Sequence, residues 1–559
     1  MTRRRGAAGV TISAIAGLVV LPALAGADVG PPQLLSFDPF VAGAGQHETA
    51  VEPDSLSVGN TVVAAFQVAR IESGGASGIG WATSTDGGTT WTTGLLPSLT
   101  QAQSPAGSAS RVSDPAVAYD RVHGVWLVSV LALRDAGSAL PFSSLLVSRS
   151  ADGRSWSEPV VTARDESRFA HDKNWIVCDN GPVSPHAGNC YVVWTDSNTG
   201  ALAASISSDG GVRWNAPTLV PSANGSGWQP LVRPDGTLVV LYETERSIES
   251  VRSLDGGRTF TQSSVVSALR TSPVPGMRAP ALPSAEIDGA GRIVVAWQDC
   301  RFRPGCPATA APNDLLIASS QNGVRWSAAR RLPTAPVLDG LHHVVPGLGV
   351  DQTTSGSTMR VAVAFSVLGP RSCTAETCRV QSYFVSTTNA GVGWSAPQPL
   401  GSAQPLDAFP QSTEGRFLGD YISTSFVAGG VAVPVFASAV GPFDGRFHQG
   451  VFATRIPPLA VQEPLRVGQP TVTPRRPRAG VRVTIAVPVA TVSRGAPTVG
   501  CQARGSRVRL MLVQRGVVRG RVLCTWLVRS APAHARVIGT ITVTSPEAEA
   551  ARRFEFRTR

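Results

Sequence analysis

Apolar and polar residues alternate in short stretches along almost the whole chain, and glycine, proline or serine separates one stretch from the next. Segments such as SGIGWATS, ending at Ser84, and SSLLVSRS, ending at Ser150, are short apolar stretches that end in serine. Short apolar stretches separated by turn residues are typical of β-strands. With 57 Gly and 43 Pro among 559 residues, the pattern predicts an all-β protein and excludes a helical bundle.

A short motif recurs six times in the first 457 residues. Each copy begins with Ser or Thr, has Asp or Asn two positions later, continues through Gly, and ends in Trp or Phe. The Asp or Asn of each copy is Asp86, Asp152, Asp209, Asp255, Asn322 or Asn389. A carboxylate or amide can accept backbone N–H groups just ahead, and Gly allows a positive φ. The motif therefore predicts a turn between two strands, anchored by the aromatic ring.

The spacing of the copies, 46 to 67 residues, matches a unit of four strands. A further unit, from Gly419 to Ile456, has the strand pattern without the turn motif. The repeat predicts a propeller with seven blades; six remain an alternative if the first and last units merge.

The motif resembles the Asp-box, or BNR, repeat of the sialidase (neuraminidase) superfamily, and the resemblance covers residues 45–457. The phrases DKNWIVCD from Asp172, VVAWQDCR ending at Arg301 and GRFLGDY ending at Tyr421 are similar to secreted bacterial sialidase-like proteins. The resemblance implies an Asp-box β-propeller whose turn motifs are structural and lie opposite the ligand-binding face.

For the site, the resemblance implies three arginines that hold a substrate carboxylate, a tyrosine nucleophile with a glutamate partner, and an aspartic acid. On this basis Tyr421 and Glu243 are the candidate catalytic pair, and Arg301, Arg303 and Arg416 the candidate carboxylate ligands. The chain departs from the family because its Arg-Ile-Pro sequence stands only at 455–457, at the end of the propeller.

The N-terminus indicates export. Three arginines precede an apolar stretch and small-residue cleavage patterns, which predicts a signal peptide over residues 1–27 and no membrane-spanning segment after its removal. Eight cysteines fall into sequence-local pairs, which favours disulfides in an oxidising compartment. The expected pairs are Cys178 with Cys190, Cys300 with Cys306, Cys373 with Cys378, and Cys501 with Cys524. The protein is therefore predicted to be secreted, and association with the cell surface is an alternative.

The end of the chain differs from the rest. Residues 458–479 are predicted to be a linker, and 480–559 resemble an immunoglobulin-like β-sandwich of exported proteins. From residue 460 onward the chain has 18 Arg and four Glu, whereas the rest has a slight acidic excess. The arginines could bind an anionic cell-envelope polymer, or could simply be a solvated face.

Two functions remain open from the sequence. One is a glycoside hydrolase of the exo-alpha-sialidase type, and the other is a non-catalytic propeller that binds glycans or proteins at the cell surface. The expected partner is an extracellular glycan or glycoconjugate. No motif indicates a cofactor, a metal site or nucleic-acid binding.

Overall fold

The computed structural model describes residues 29–41, 43–135, 142–165, 171–307, 311–334, 339–370, 373–374, 376–440, 446–461, 466–490, 498–518, 520–544 and 549–559. The predicted signal peptide lies outside these residues. The fold is nearly all β, as the alternating pattern predicted. In the described ranges the helices are three short 3-10 turns, at Gly356–Thr358, Leu406–Ala408 and Ala428–Gly430. Among the described residues, no helix has the length and apolar character needed to cross a membrane.

The strands before residue 454 form one 12-stranded sheet, four sheets of four or five strands and a short hairpin. In chain order they divide into seven consecutive antiparallel groups. The first three groups are β2 (Gln46–Val58), β3 (Thr61–Arg70), β4 (Ala76–Ser84) and β5 (Thr92–Leu95); β6 (Arg111–Asp120), β7 (Val125–Arg134), β8 (Phe142–Ser150) and β9 (Val160–Asp165); and β10 (His171–Cys178), β11 (Cys190–Asp196), β12 (Ala201–Ser207) and β13 (Thr218–Asn224).

The next three groups are β14 (Ser226–Val232), β15 (Leu238–Glu243), β16 (Ser247–Ser253) and β17 (Ser264–Ala268); β18 (Ser284–Ile287), β19 (Ile293–Asp299), β20 (Asp314–Ser320) and β21 (Arg330–Arg331); and β22 (His342–Val350), β23 (Val361–Gly369), β24 (Arg379–Thr387), β25 (Gln398–Pro399) and β26 (Gln404–Pro405). A short hairpin follows, β27 (Gln411–Ser412) with β28 (Gly415–Arg416).

The seventh group joins the two ends of this region. It contains β29 (Ser423–Val427), β30 (Val431–Ala439) and β31 (Gln449–Ala453), and its fourth strand is β1 (Gln33–Leu34), which pairs with β31. Single residue pairs, Ala76 with Val112 and Thr49 with Gln449, also connect neighbouring groups.

The groups close into a propeller-like ring. Their first strands, β2, β6, β10, β14, β18, β22 and β29, contact one another in that order, and β29 contacts β2. Seven apolar clusters each lie between two successive groups, and one of them packs Leu35, Val62 and Val433 across the closure. The core is therefore a set of interfaces between sheet faces rather than one central mass.

In all six turn motifs the Ser or Thr hydroxyl donates to Oδ1 of the Asp or Asn, and at least one backbone N–H just ahead donates to the same oxygen. At Asp86, the Ser84 hydroxyl donates to Oδ1 (2.8 Å), and the N–H groups of Thr89 and Thr90 donate to the same oxygen at 3.0 and 2.9 Å. Ser84 in turn accepts the N–H of Gly88 at 2.8 Å. These donors hold the pKa of Asp86 well below its ordinary value. The Asp86 carboxylate therefore serves to hold the turn, through the hydrogen bonds that it accepts.

Residues beyond 465 form two further sheets. One contains β32 (Arg466–Val467), β33 (Thr471–Thr473), β34 (Arg482–Ala490), β36 (Arg509–Val518) and β37 (Arg521–Ser530), and the other contains β35 (Thr498–Gly505), β38 (Arg536–Thr544) and β39 (Glu549–Arg557). A shared apolar core lies between these sheets, and Cys501–Cys524 bonds β35 to β37 across it. The other disulfides are Cys178–Cys190, Cys300–Cys306 and Cys373–Cys378, so all four predicted pairs are present. Four disulfides fit an oxidising, extracellular environment.

Candidate functional site

A cavity of about 400 Å³, here called the mouth cavity, opens at one end of the central channel. Its wall includes the ends of second strands, at Arg70 of β3 and Glu243 of β15. The turn motifs follow third strands such as β4, which run antiparallel to the second. They therefore lie at the other end of the ring from the mouth cavity.

Five first strands carry the same bulge. In β2, β6, β10, β14 and β22, one extra residue interrupts the pairing with the second strand. The extra residue has a positive φ in every case: Glu52 (53°), Asp114 (49°), Lys173 (48°), Gly227 (67°) and Val345 (53°). Glycine adopts this region freely, but other residues are strained there by about 1–3 kcal/mol. Backbone strain of this kind persists where the surrounding structure enforces it and is concentrated at functional sites.

Three of these bulge residues are ionisable and line the mouth cavity: Glu52, Asp114 and Lys173. All three are buried. Glu52 accepts the backbone N–H of Asp420 at 3.1 Å and contacts the side-chain amide of Gln67. Burial, assisted by the charges of Asp420 and Asp114, raises the pKa of Glu52 to about 8. This carboxyl is therefore protonated at neutral pH.

Asp114 lies in a different charge environment. Its Oδ1 is 3.8 Å from Lys173 Nζ. Burial raises its pKa to about 6, and the neighbouring ammonium opposes a larger rise. At pH 7 the site thus combines a protonated Glu52 with an ionised Asp114, two carboxyl groups in different protonation states.

Opposite these strands, Arg278 and Asp420 form a bidentate pair, with Nε–Oδ1 and Nη2–Oδ2 distances of 3.0 and 2.5 Å. Burial opposes the charge on Arg278, but Asp420 and the nearby carboxylates keep its pKa above the ordinary value. Arg70 is also occupied. It donates to Gln46 Oε1 and the Gln411 carbonyl, both at 3.0 Å, and stacks on Phe417. These guanidinium groups hold the wall of the cavity together.

Tyr421 lies beneath the cavity. Lys173 Nζ is 3.5 Å from the centre of its ring, and the Trp175 ring packs against it edge-on at 5.0 Å. Its hydroxyl donates to the Pro115 carbonyl at 3.3 Å. Burial and the charges of Glu52 and Asp114 raise the pKa of Tyr421 well above 10. The phenol is therefore held neutral, as a support for the bulges of β6 and β10.

The candidate catalytic pair is only partly brought together. Glu243 lines the mouth cavity, and burial raises its pKa to about 7. Tyr421 is at the base of the same region, but within the described residues the hydrogen bonds do not connect Tyr421 with Glu243.

The three candidate carboxylate ligands are engaged elsewhere. Arg301 pairs with Asp299 at 2.6 Å, and Arg303 is buried between Asp314 and Asp339 at 2.5 and 2.8 Å. Arg416 donates to the Phe409 carbonyl at 2.8 Å. None of the three is among the described residues that line the mouth cavity. In the described part of the chain, no three His, Cys, Asp or Glu side chains are grouped as metal ligands either.

Glu52, Asp114 and Arg278 were not predicted as site residues from the sequence, although all three line the cavity. A signal for the first two was present in the repeat. Aligning the units on Pro53, Pro115 and Pro346 superposes Glu52, Asp114 and Val345. No comparable signal marks Arg278, which lies in the irregular segment before β18.

Comparisons with known proteins give weak likenesses. No family model and no curated protein matches the chain. Among solved structures, Trypanosoma rangeli sialidase in complex with sialic acid is 14% identical, covering 94% of this chain and 90% of its own, with a TM-score of 0.38. A PL25 ulvan lyase is 11% identical over 80% of this chain and 94% of its own, with a TM-score of 0.35. A subtype N11 neuraminidase-like protein of A/flat-faced bat/Peru/033/2010 (H18N11) is 10% identical over 68% of this chain and 97% of its own, with a TM-score of 0.35. At these sequence identities and TM-scores, the similarities support no conclusion about what this chain binds or catalyses.

Proposed function

We propose that this chain is an extracellular, seven-bladed β-propeller with a C-terminal immunoglobulin-like module, and that it hydrolyses a glycosidic bond in the mouth cavity. The observation that carries the proposal is the pair Glu52 and Asp114. They project from equivalent strained bulges of neighbouring strands and stand in different protonation states. Two carboxyl groups with these properties are what glycoside hydrolysis requires.

In the proposed reaction, the protonated Glu52 donates its proton to the leaving oxygen as the bond to the anomeric carbon breaks. Asp114 accepts a proton from the water that adds to that carbon. Lys173, 3.8 Å from Asp114, keeps this carboxylate ionised despite its burial. The Arg278–Asp420 pair fixes the wall from which the Asp420 N–H donates to Glu52.

The test is hydrolysis of a panel of fluorogenic glycosides, sialosides included, by the exported protein. Glu52→Gln and Asp114→Asn should each lower turnover by about 10²–10⁴-fold, because each removes one proton transfer. Glu286→Gln is the matched control. Glu286 also has a pKa of about 8, but it lines a separate cavity of about 300 Å³ farther along the channel.

Equal losses in all three variants would indicate a general disturbance of the channel and would contradict the assignment. Sugar binding without turnover would instead identify the alternative, a non-catalytic glycan-binding propeller. Tyr421 and Glu243 belong in the same experiment, because the sialidase resemblance predicts that they form the nucleophilic pair.

A further inference from the structure

The basic residues of the C-terminal module gather at one end of its two sheets. β34, β36 and β38 begin at this end, and β35, β37 and β39 finish there. The Gly505–Val508 bridge joins the two sheets at the turn between β35 and β36, and the Arg559 N–H donates to the Pro477 carbonyl beside β34. The ends of six strands therefore form one continuous surface.

Eleven exposed arginines lie on this surface, which we call the arginine end. They are Arg475, Arg476, Arg478, Arg482, Arg504, Arg507, Arg509, Arg529, Arg536, Arg557 and Arg559. Of these eleven arginines, only Arg536 forms an ion pair within the described residues, with Glu555 at 2.8 Å. The opposite end of the module has few arginines by comparison, among them Arg515 and Arg521. The charge is thus concentrated by the topology and is not spread evenly over an arginine-rich module.

We propose that the arginine end binds an anionic polysaccharide, one with carboxylate, sulfate or phosphate groups along an extended chain. Guanidinium groups bind such oxyanions bidentately and remain charged at every physiological pH. Several unpaired cations on one convex surface suit a ligand whose charges repeat, because each added contact contributes to the same association.

The composition of the surface argues against two other polyanions. Single-stranded nucleic acid is held by aromatic side chains on which bases stack. The described aromatic residues of the module, Trp526, Phe554 and Phe556, are buried in its core. Membrane surfaces are held by apolar side chains as well as charge. One exposed apolar residue, Ile538, lies beside the arginine end near the start of β38. The other exposed large apolar residues of the module, Leu512, Val513, Val517 and Val518, belong to β36, which runs away from its start at Arg509.

The experiment measures binding of the full exported chain to polygalacturonate and to heparin, with neutral dextran as a blank, at two salt concentrations. The variant Arg475→Gln, Arg476→Gln, Arg478→Gln removes three charges from a surface loop. The matched control Arg515→Gln, Arg521→Gln, Arg553→Gln removes three charges away from the arginine end. Circular dichroism checks that both variants are folded.

We expect the loop variant to bind at least one polyanion about tenfold or more weakly, with a salt dependence reduced by roughly two to three ions. The control should stay within about twofold. Equal losses in the two variants would show that only net charge matters, and would overturn the proposal. The proposal would also be overturned if the chain bound neither polysaccharide. It would likewise be overturned if the chain bound single-stranded DNA or anionic phosphatidylserine vesicles more tightly than it bound both polysaccharides.

Discussion

At the scale of single residues, burial sets the protonation states of the site. Burial raises the pKa of Glu52 to about 8, with the charges of Asp420 and Asp114 adding to the rise, whereas the pKa of Asp114 reaches only about 6 because Lys173 is the strongest influence opposing its burial. The sequence could not show this difference, because both residues precede a proline in similar strands. It arises only when β2, β6 and β10 meet around the channel.

These states predict a bell-shaped pH profile for turnover. Activity should fall below about pH 6 as Asp114 is protonated, and above about pH 8 as Glu52 loses its proton. The two limbs belong to the coupled carboxyl groups together. Initial rates between pH 4 and 10 measure the profile. A rate that stays constant from pH 7 to pH 10 would contradict the role of Glu52 as the acid.

Tyr421→Phe separates two roles for the phenol. The contacts of Tyr421 with Lys173 and the Pro115 carbonyl favour a supporting role, so we expect turnover to fall by only a few fold. If Tyr421 is the nucleophile, Tyr421→Phe should instead lower turnover by at least about 10³-fold and abolish any covalent intermediate. The measurement is turnover of the best glycoside, with rapid quenching and mass spectrometry for a sugar-bound protein. An adduct that forms in the unmodified protein but not in Tyr421→Phe would show that Tyr421 is the nucleophile.

Glu286 provides a stability prediction. Burial raises its pKa to about 8, above the ordinary 4.5. Between these values the unfolded chain ionises first and the folded protein holds the extra proton, so stability must fall as pH rises from about 5 to 8. Glu286→Gln cannot ionise, so its unfolding temperature should fall less over that range and should exceed that of the unmodified protein at pH 8. Identical pH dependence in both proteins would contradict the buried-acid assignment.

At the scale of elements, the strands and turns followed from local pattern, whereas the bulges did not. Alternation predicted the strands, and the Ser-x-Asp-Gly sequences predicted the turns, because both depend on neighbours in sequence. A bulge places Glu52 or Lys173 against a left-handed backbone that local preference disfavours. It depends on pairing with the second strand and on packing around the channel, which no short window contains.

Gly227→Ala tests the shared bulge. Gly227 has φ +67°, and an added Cβ would lie 2.8 Å from Leu282 Cδ2. Gly59→Ala is the control, because Gly59 has a similar φ of +62° with open space around it. The control should lose about 1 kcal/mol of unfolding free energy from backbone strain, and Gly227→Ala about 2 kcal/mol. Denaturant unfolding measures both. An equal loss would mean that Leu282 yields and that the bulge is not tightly packed.

At the scale of the whole molecule, the repeat predicted a ring before any contact was known. The role of the candidate arginines as carboxylate ligands was less predictable. It was taken from the sialidase pattern, but this chain lacks the early Arg-Ile-Pro sequence of that family. Arg301 and Arg303 are held by Asp299, Asp314 and Asp339. Adjacent charges of opposite sign were visible in the sequence for Asp299 and Arg301, but Asp339 reaches Arg303 from 36 residues away.

The closure of the ring gives the last prediction. Leu35 is 1% exposed, packs in the cluster between the seventh and first groups, and donates its N–H to the Val451 carbonyl at 2.8 Å. Leu35→Ala should cost about 2–4 kcal/mol through the cavity it leaves. Leu34→Ala is the control, because Leu34 is the adjacent residue, at the end of β1, but is 59% exposed. Hydrogen exchange should become faster in β31 and β2 of Leu35→Ala and stay unchanged in β34 and β37. Faster exchange confined to β1 would contradict a closure that depends on this strand, because the ring would then hold without it.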